Sequence, residues 1–152
     1  MQKHKYVFLL CFLLALPSFL YSQTAQRIED LLISNALTYG QVVQFVLDAA
    51  DLPAPASPQE AFNFAIEQDW LPRGVIASDQ ARLNGLSLLI MGAFEIRGGI
   101  FFSIFSNSHY AYRELVHRNI IVGRADPNML VSGDTLLYIV NRVLAFQESN
   151  LL

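Results

Sequence analysis

The chain has 152 residues, 53% hydrophobic and 15% charged, with a formal charge of −3 at pH 7. Beyond residue 23 it keeps eight Arg, no Lys and thirteen Asp plus Glu, a balance of 8 − 13 = −5. That balance argues against phosphate-driven nucleic-acid binding and against docking on an anionic lipid surface.

The N-terminus reads as an export signal. Lys3, His4 and Lys5 make a basic start, "YVFLLCFLLALPSFLY" (6–21) is an apolar run, and "SQTAQ" supplies small and polar residues. The run is shorter than the ~20 residues that a membrane span needs, and it holds Pro17. Cleavage is expected after Ser22 or Gln23, so that 1–23 is a signal peptide and no membrane span remains. Cys11, the one cysteine, lies inside the apolar run rather than at its end, so lipidation is not expected. Its removal would leave no thiol for a disulfide, a thiolate metal site or a nucleophile. The expected location is the periplasm, or a secreted, cell-envelope position. Roughly 130 residues then suffice for one domain, 24–150, with a modest core.

Residues 24–36 read as a helix with Ile28, Leu31 and Leu32 on one face, and 37–51 as a second with Val42, Val43, Val46, Leu47 and Ala50. Pro53, Pro55 and Pro58 break that pattern. Ser57, Pro58 and Glu60 suit an N-cap, a first helical position and a capping box, so the next helix buries Phe62, Ala65, Ile66 and, toward its end, Trp70. Asn84 is read as the cap of an apolar helix over 85–96, stopped by Arg97-Gly98-Gly99, which with no Lys nearby is no phosphate loop. "IFFSIF" (100–105) fits a short strand or a buried extended connector. Residues 106–108 cap a helix over 109–119, with Ala111, Leu115 and Val116 on one face and Glu114–Arg118 as an i,i+4 pair. Gly123 then ends the turn, Asp126-Pro127 makes a tight reversal, and Ser132 caps a last helix over 133–147. Its core stripe is Leu136, Leu137, Val140, Val143 and Leu144. The fold class is all-α.

Three helix starts can be overlaid: "LTYGQVV" from Leu37, "LNGLSLL" from Leu83 and "VSGDTLL" from Val131, with capping Thr38, Asn84 and Ser132 and spacings of 46 and 48 residues. A recurring unit of this size is the mark of a repeat architecture. The chain resembles S-layer homology modules, whose unit is a helix, a loop with Gly and a Pro or Asp, and an "ITRAE"-like helix start. Residues 110–144 look like one unit and 61–94 like another, with two extra residues near Pro72-Arg73, while 37–50 matches only a second helix. This divides the domain into 24–51 (partial), 57–97 and 106–147.

The resemblance implies tandem helix–loop–helix units around one core. It also implies a non-enzymatic, exported module that binds an envelope protein or cell-wall glycan, with oligomers open. In that family the basic residue of the helix start is central to binding acidic polysaccharide. Tyr39, Gly85 and Gly133 stand at that position here, followed two places on by Gln41, Ser87 and Thr135, so the family's glycan-binding residues do not carry over.

No catalytic set is read from the chain. His109 and His117 lie eight apart on one helix and suit an ordinary surface role. With Glu114 they do not make an H-E-x-x-H metal pair, and Asp126 with Asp134 lacks the alternating oxygen ligands of a calcium loop. No cofactor or metal is expected. Most aromatics, among them Phe101, Phe102, Phe105 and Tyr112, are assigned to the core. The candidate ligand residues are Trp70 and Tyr110, lining a groove, with Arg73, Arg113 and Arg124 facing an acidic ligand. Two alternatives stay open. A small periplasmic hydrolase or glycan-processing enzyme would gather perturbed carboxylates or His in a cleft. A homo-oligomeric structural subunit of the envelope would expose a large apolar patch.

Overall fold

The computed structural model of the chain describes residues 29, 31–53, 55–123 and 126–150. Two compact units divide between Ile33 and Ser34. The expected helix over 24–36 falls mostly outside the described residues; 31–33 are helical and 34–37 are not. The second unit is all-α. Its helices are α1 (Tyr39–Ala49), α2 (Pro58–Glu67), α3 (Leu83–Ala93), α4 (Ile100–Phe105), α5 (Ser108–His117) and α6 (Gly133–Asn150).

Three helix starts meet in a closed ring of backbone hydrogen bonds. The Leu37 N–H donates to the Val131 carbonyl (2.8 Å), the Val131 N–H to the Ala81 carbonyl (2.9 Å), and the Ala81 N–H to the Leu37 carbonyl (2.8 Å). All three residues are fully buried. A helix leaves its first amides without internal partners, and here the neighbouring loops supply them. Tyr39, Leu83 and Gly133, the first residues of α1, α3 and α6, donate to the carbonyls of Asp79, Met129 and Ser34 (2.9–3.0 Å). Gly40 and Asn84 donate in the same way to Ala77 and Pro127.

The ring corrects the alignment read from the sequence. Arg82, not Asn84, is the N-cap of α3, and it makes no side-chain cap bond. Asn84 lies inside the first turn. The positions that meet in the ring are Leu37, Ala81 and Val131, spaced 81 − 37 = 44 and 131 − 81 = 50, where the overlay of helix starts has 46 and 48. Five residues on from each stand Val42, Leu86 and Leu136, all buried. The partner loop's carbonyls do the work of a capping side chain at α3, so the residue type at the cap gives no signal there.

Elsewhere capping chemistry sets the starts. Thr38 and Gln41 form a reciprocal capping box at α1. Ser57 accepts from the Glu60 N–H at α2 (3.3 Å), with Pro58 at the first position, but without the return bond of a box. Asn107 caps α5 through Tyr110 N–H, and Ser132 caps α6 through Thr135 N–H (3.2 Å). The Asp126-Pro127 reversal is present: the Asp126 carbonyl accepts from Met129 and its carboxylate from Asn128.

Four helices stop by one device. After α1, α2, α3 and α5 a residue takes the left-handed region: Asp51, Asp69, Glu95 and Asn119, at φ 55, 57, 50 and 56. The next residue (Leu52, Trp70, Ile96, Ile120) then donates back to Leu47, Ala65, Met91 or Leu115. This double closure satisfies the last carbonyls, a job usually given to Gly. So α3 ends at Ala93, ahead of the Arg97-Gly98-Gly99 that was expected to stop it. Gly123, at φ +93, sits in the loop after α5.

The core forms around α3, which is buried on nearly every side from Leu83 to Ala93, as suits a helix apolar all round. α1 and α5 pack on α3, and α2 packs on α1. Ile66 (40%) and Leu144 (36%), expected in the core stripes of α2 and α6, are exposed, while Ala61 and Ile139 are buried.

Candidate functional site

The five residues proposed for a ligand groove are placed as follows. Trp70 follows α2 and lies across α3 at Gly92, where a Cβ would stand 2.2 Å from the indole Cδ1. The Phe64 ring meets it edge-on at 5.7 Å. Tyr110, in the first turn of α5, stacks on Phe101 (5.9 Å) and Phe105 (5.3 Å). Arg73 and Arg113 are exposed, and Arg124 lies outside the described residues. Trp70 thus packs on α3 and Tyr110 on α4. His109 and His117 are both exposed.

Tyr39 occupies a comparable seat at the ring. Its hydroxyl lies over Gly85, where a Cβ would come within 2.3 Å. Burial pushes the phenol up, only partly offset by the Arg82 backbone N–H and the Arg82 charge. Tyr39 is therefore a neutral phenol near pH 7, packed over α3. Ser87, buried in α3, donates to the Leu83 carbonyl (2.7 Å). Among the described residues no three His, Cys, Asp or Glu side chains converge as a metal-binding group.

α4 departs most from expectation. "IFFSIF" is neither a strand nor a buried connector. It is a helix with no buried residue, and Phe101 and Phe105 are not core. Local polar groups hold it. Ser103 Oγ donates back to the Gly99 carbonyl (3.1 Å), and Ser106, at φ 37, closes the end through the Phe102 carbonyl. A clamp from α5 fixes its start: Glu114 accepts from the Gly99 N–H (3.0 Å) and from Arg118 Nε (2.8 Å). Arg118 also donates to the Arg97 carbonyl. Partial burial raises the Glu114 carboxyl, but the Gly99 N–H and the Arg118 guanidinium outweigh it and hold the group below its ordinary range.

The result is a displayed apolar patch: Ile100 is 77% exposed, Phe101 66%, Ile104 66% and Phe105 54%. Burying such side chains stabilises a protein by roughly 1.5–3 kcal/mol each, so leaving them in water forgoes that gain. Contiguous exposed patches of this kind mark interaction surfaces. Sequence reading missed this because a six-residue apolar run has no period. The available signal was its punctuation, Gly98-Gly99 before it and Ser106-Asn107-Ser108 after.

A second feature, also unseen in the sequence, is a cleft of about 330 Å³ where the start of α3, the loop after α5 and α6 meet. Leu83, Ile121, Val122, Met129 and Ile139 give it an apolar lining, with Tyr138 beside them. Asp134 and Thr135 are its polar members. Arg142 ties the region together, donating from Nε to the Asn119 carbonyl (2.9 Å) while its guanidinium lies 5.7 Å from the Tyr138 ring centre. An apolar lining with a few polar groups is the make-up of a site for a compact, mostly apolar guest.

No helix among the described residues is long and apolar enough to cross a membrane. The chain matches no known protein family, no curated protein and no solved structure.

Proposed function

We propose that the chain is an exported, non-enzymatic module of the cell envelope, similar in plan to S-layer homology modules, that binds or assembles with an envelope protein or glycan. The observation that carries this reading is the ring at Leu37, Ala81 and Val131. Three helix starts, each with its first amide held by the loop of another, suit a three-unit arrangement in which the first unit is partial. In the register of the ring, the place of the family's basic residue falls to Tyr39, Leu83 and Gly133. None of them is charged, so binding of an acidic glycan through that position is not inherited. The surface that remains on offer is α4, and a protein partner suits its uncharged face better than a polyanion does. The exposed α4 also favours a second reading, a homo-oligomeric structural subunit.

The test is the fate of the protein in the producing cell. Fractionation and intact mass should find it with the envelope, lacking residues 1–22 or 1–23. A tagged copy should recover an envelope component that Ile104→Asp releases. A chain with Met1 intact in the cytosol would refute the export reading.

A further inference from the structure

We infer that α4 is a latched strap: it opens as one unit while the ring and the core stay folded, and Glu114 with Arg118 on α5 is the latch that holds it shut. Closed, the strap is a helix; open, the stretch from Gly98 to Ser106 is a loop. The latch therefore decides whether the exposed apolar face exists as a helix at all. This is a conformational device of the chain itself and goes beyond the function proposed above.

The first support is that α4 adds nothing to the core. None of its six residues is buried, so opening it gives up little of the burial that locks α1, α3 and α5 together. Nor does a helix of this length stand by itself, since isolated helices shorter than roughly 12–15 residues are marginal in water. The strap stays closed only while its fastenings hold.

Those fastenings run to α5. Glu114 accepts from the Gly99 N–H (3.0 Å) and from Arg118 Nε (2.8 Å), and Arg118 donates to the Arg97 carbonyl. Further along, Phe101 and Phe105 stack on Tyr110. The fixed half of the latch is anchored independently of the strap. Buried Ala111 and Leu115 seat α5, and the Arg118 guanidinium lies 5.3 Å from the centre of the Phe146 ring on α6.

Both ends of the strap are built to give way. At its start Phe102 lies over the bare face of Gly98, where a Cβ would come within 2.5 Å of Phe102 Cδ1 and 2.6 Å of its Cβ. The closed position thus exists only because residue 98 has no side chain. At its end Ser106 takes the left-handed region at φ 37, a strained conformation for serine that opening relieves.

Native-state hydrogen exchange of the purified protein, read amide by amide in rising but sub-denaturing urea, tests this. Local opening exposes little surface and barely responds to urea, whereas global unfolding does. The Ser103 and Ser106 amides donate to the Gly99 and Phe102 carbonyls. They should exchange at least about a hundredfold faster than the Leu37, Ala81 and Val131 amides, at a rate that urea leaves unchanged. Glu114→Ala and, separately, Gly98→Ala should speed them at least about tenfold more. Ser132→Ala, which weakens the start of α6, should speed the ring amides about fivefold and leave the α4 amides as they were. A helix that merely belonged to the core would respond with the ring. Should Glu114→Ala not fold, Glu114→Gln replaces it, and the wild-type and Ser132→Ala comparisons stand without either. Exchange of α4 amides with the urea dependence of the ring overturns the proposal. So does acceleration of α4 by Ser132→Ala equal to that of the ring, or exchange of α4 that the latch substitution or Gly98→Ala leaves unchanged.

Discussion

Gly92→Ala should destabilise the protein while Trp70 is present and stabilise it once Trp70 is gone. A Cβ at Gly92 would stand 2.2 Å from Trp70 Cδ1 and 2.5 Å from its Nε1, against 3.4 Å for ordinary contact, so the indole must retreat by more than 1 Å. Overpacking of this kind costs about 1–3 kcal/mol, and losing the edge-on contact with Phe64 adds about 0.5–1.5. Against this, Ala is better than Gly inside a helix by about 1 kcal/mol. The net loss is therefore about 1–3 kcal/mol, a large part of the roughly 5–15 that holds a domain together. In a Trp70→Ala background the clash disappears and only the helix preference remains, so the same substitution should gain about 1 kcal/mol. Urea denaturation followed by circular dichroism gives all four corners of the cycle. Trp70 is the only tryptophan, so its fluorescence should also shift red in Gly92→Ala as the indole leaves its seat. Equal destabilisation by Gly92→Ala in both backgrounds would show that Trp70 does not rest on α3, and the argument would fail.

The caps give a contrast: Ser132→Ala should cost about 1 kcal/mol, whereas Asn84→Ala should lie within about 0.5 kcal/mol of wild type in thermal melts, as for a non-capping site. Glu95→Gly should raise stability by about 0.5–1 kcal/mol, because Gly meets the left-handed region without strain and that gain exceeds the entropy it adds to the unfolded chain; an unchanged or lowered melting temperature would contradict the helix-end geometry. Glu114 is held below its ordinary carboxyl range in the folded protein, so its contribution is complete above the unfolded value of about 4.3 and fades as pH falls through the lower folded value. Glu114→Gln should flatten that part of the acid limb of stability against pH, and a limb unchanged by the substitution would refute the clamp.

What was legible in the sequence and what was not divide along a physical line. Caps that work through their own side chains, Thr38, Ser57 and Ser132, were readable because their chemistry is local. The start of α3 was misplaced by two residues because its first amides bond to the loop over Pro127–Met129, far away in sequence. The helix ends at Asp51, Asp69 and Glu95 left no Gly to mark them, since acidic residues take the left-handed region there. Stripes with helical period identified most of α1 and α6. They could not show that Ile66 and Leu144 fall at the edge, because that depends on what covers each face. The candidate surface was the least readable. α4 has no period, and the cleft joins Leu83 to Tyr138 across 55 positions of chain (138 − 83).

The account stands on three helix starts locked into one ring, and native-state hydrogen exchange of the Leu37, Ala81 and Val131 amides tests that most directly. If the ring is the common core of the units, all three amides exchange only through global unfolding. Their opening free energies should then agree within about 1 kcal/mol with each other and with the unfolding free energy from denaturation. A Leu37 amide that exchanges through a local opening, orders of magnitude faster than Ala81 and Val131, would contradict it and leave two units rather than three.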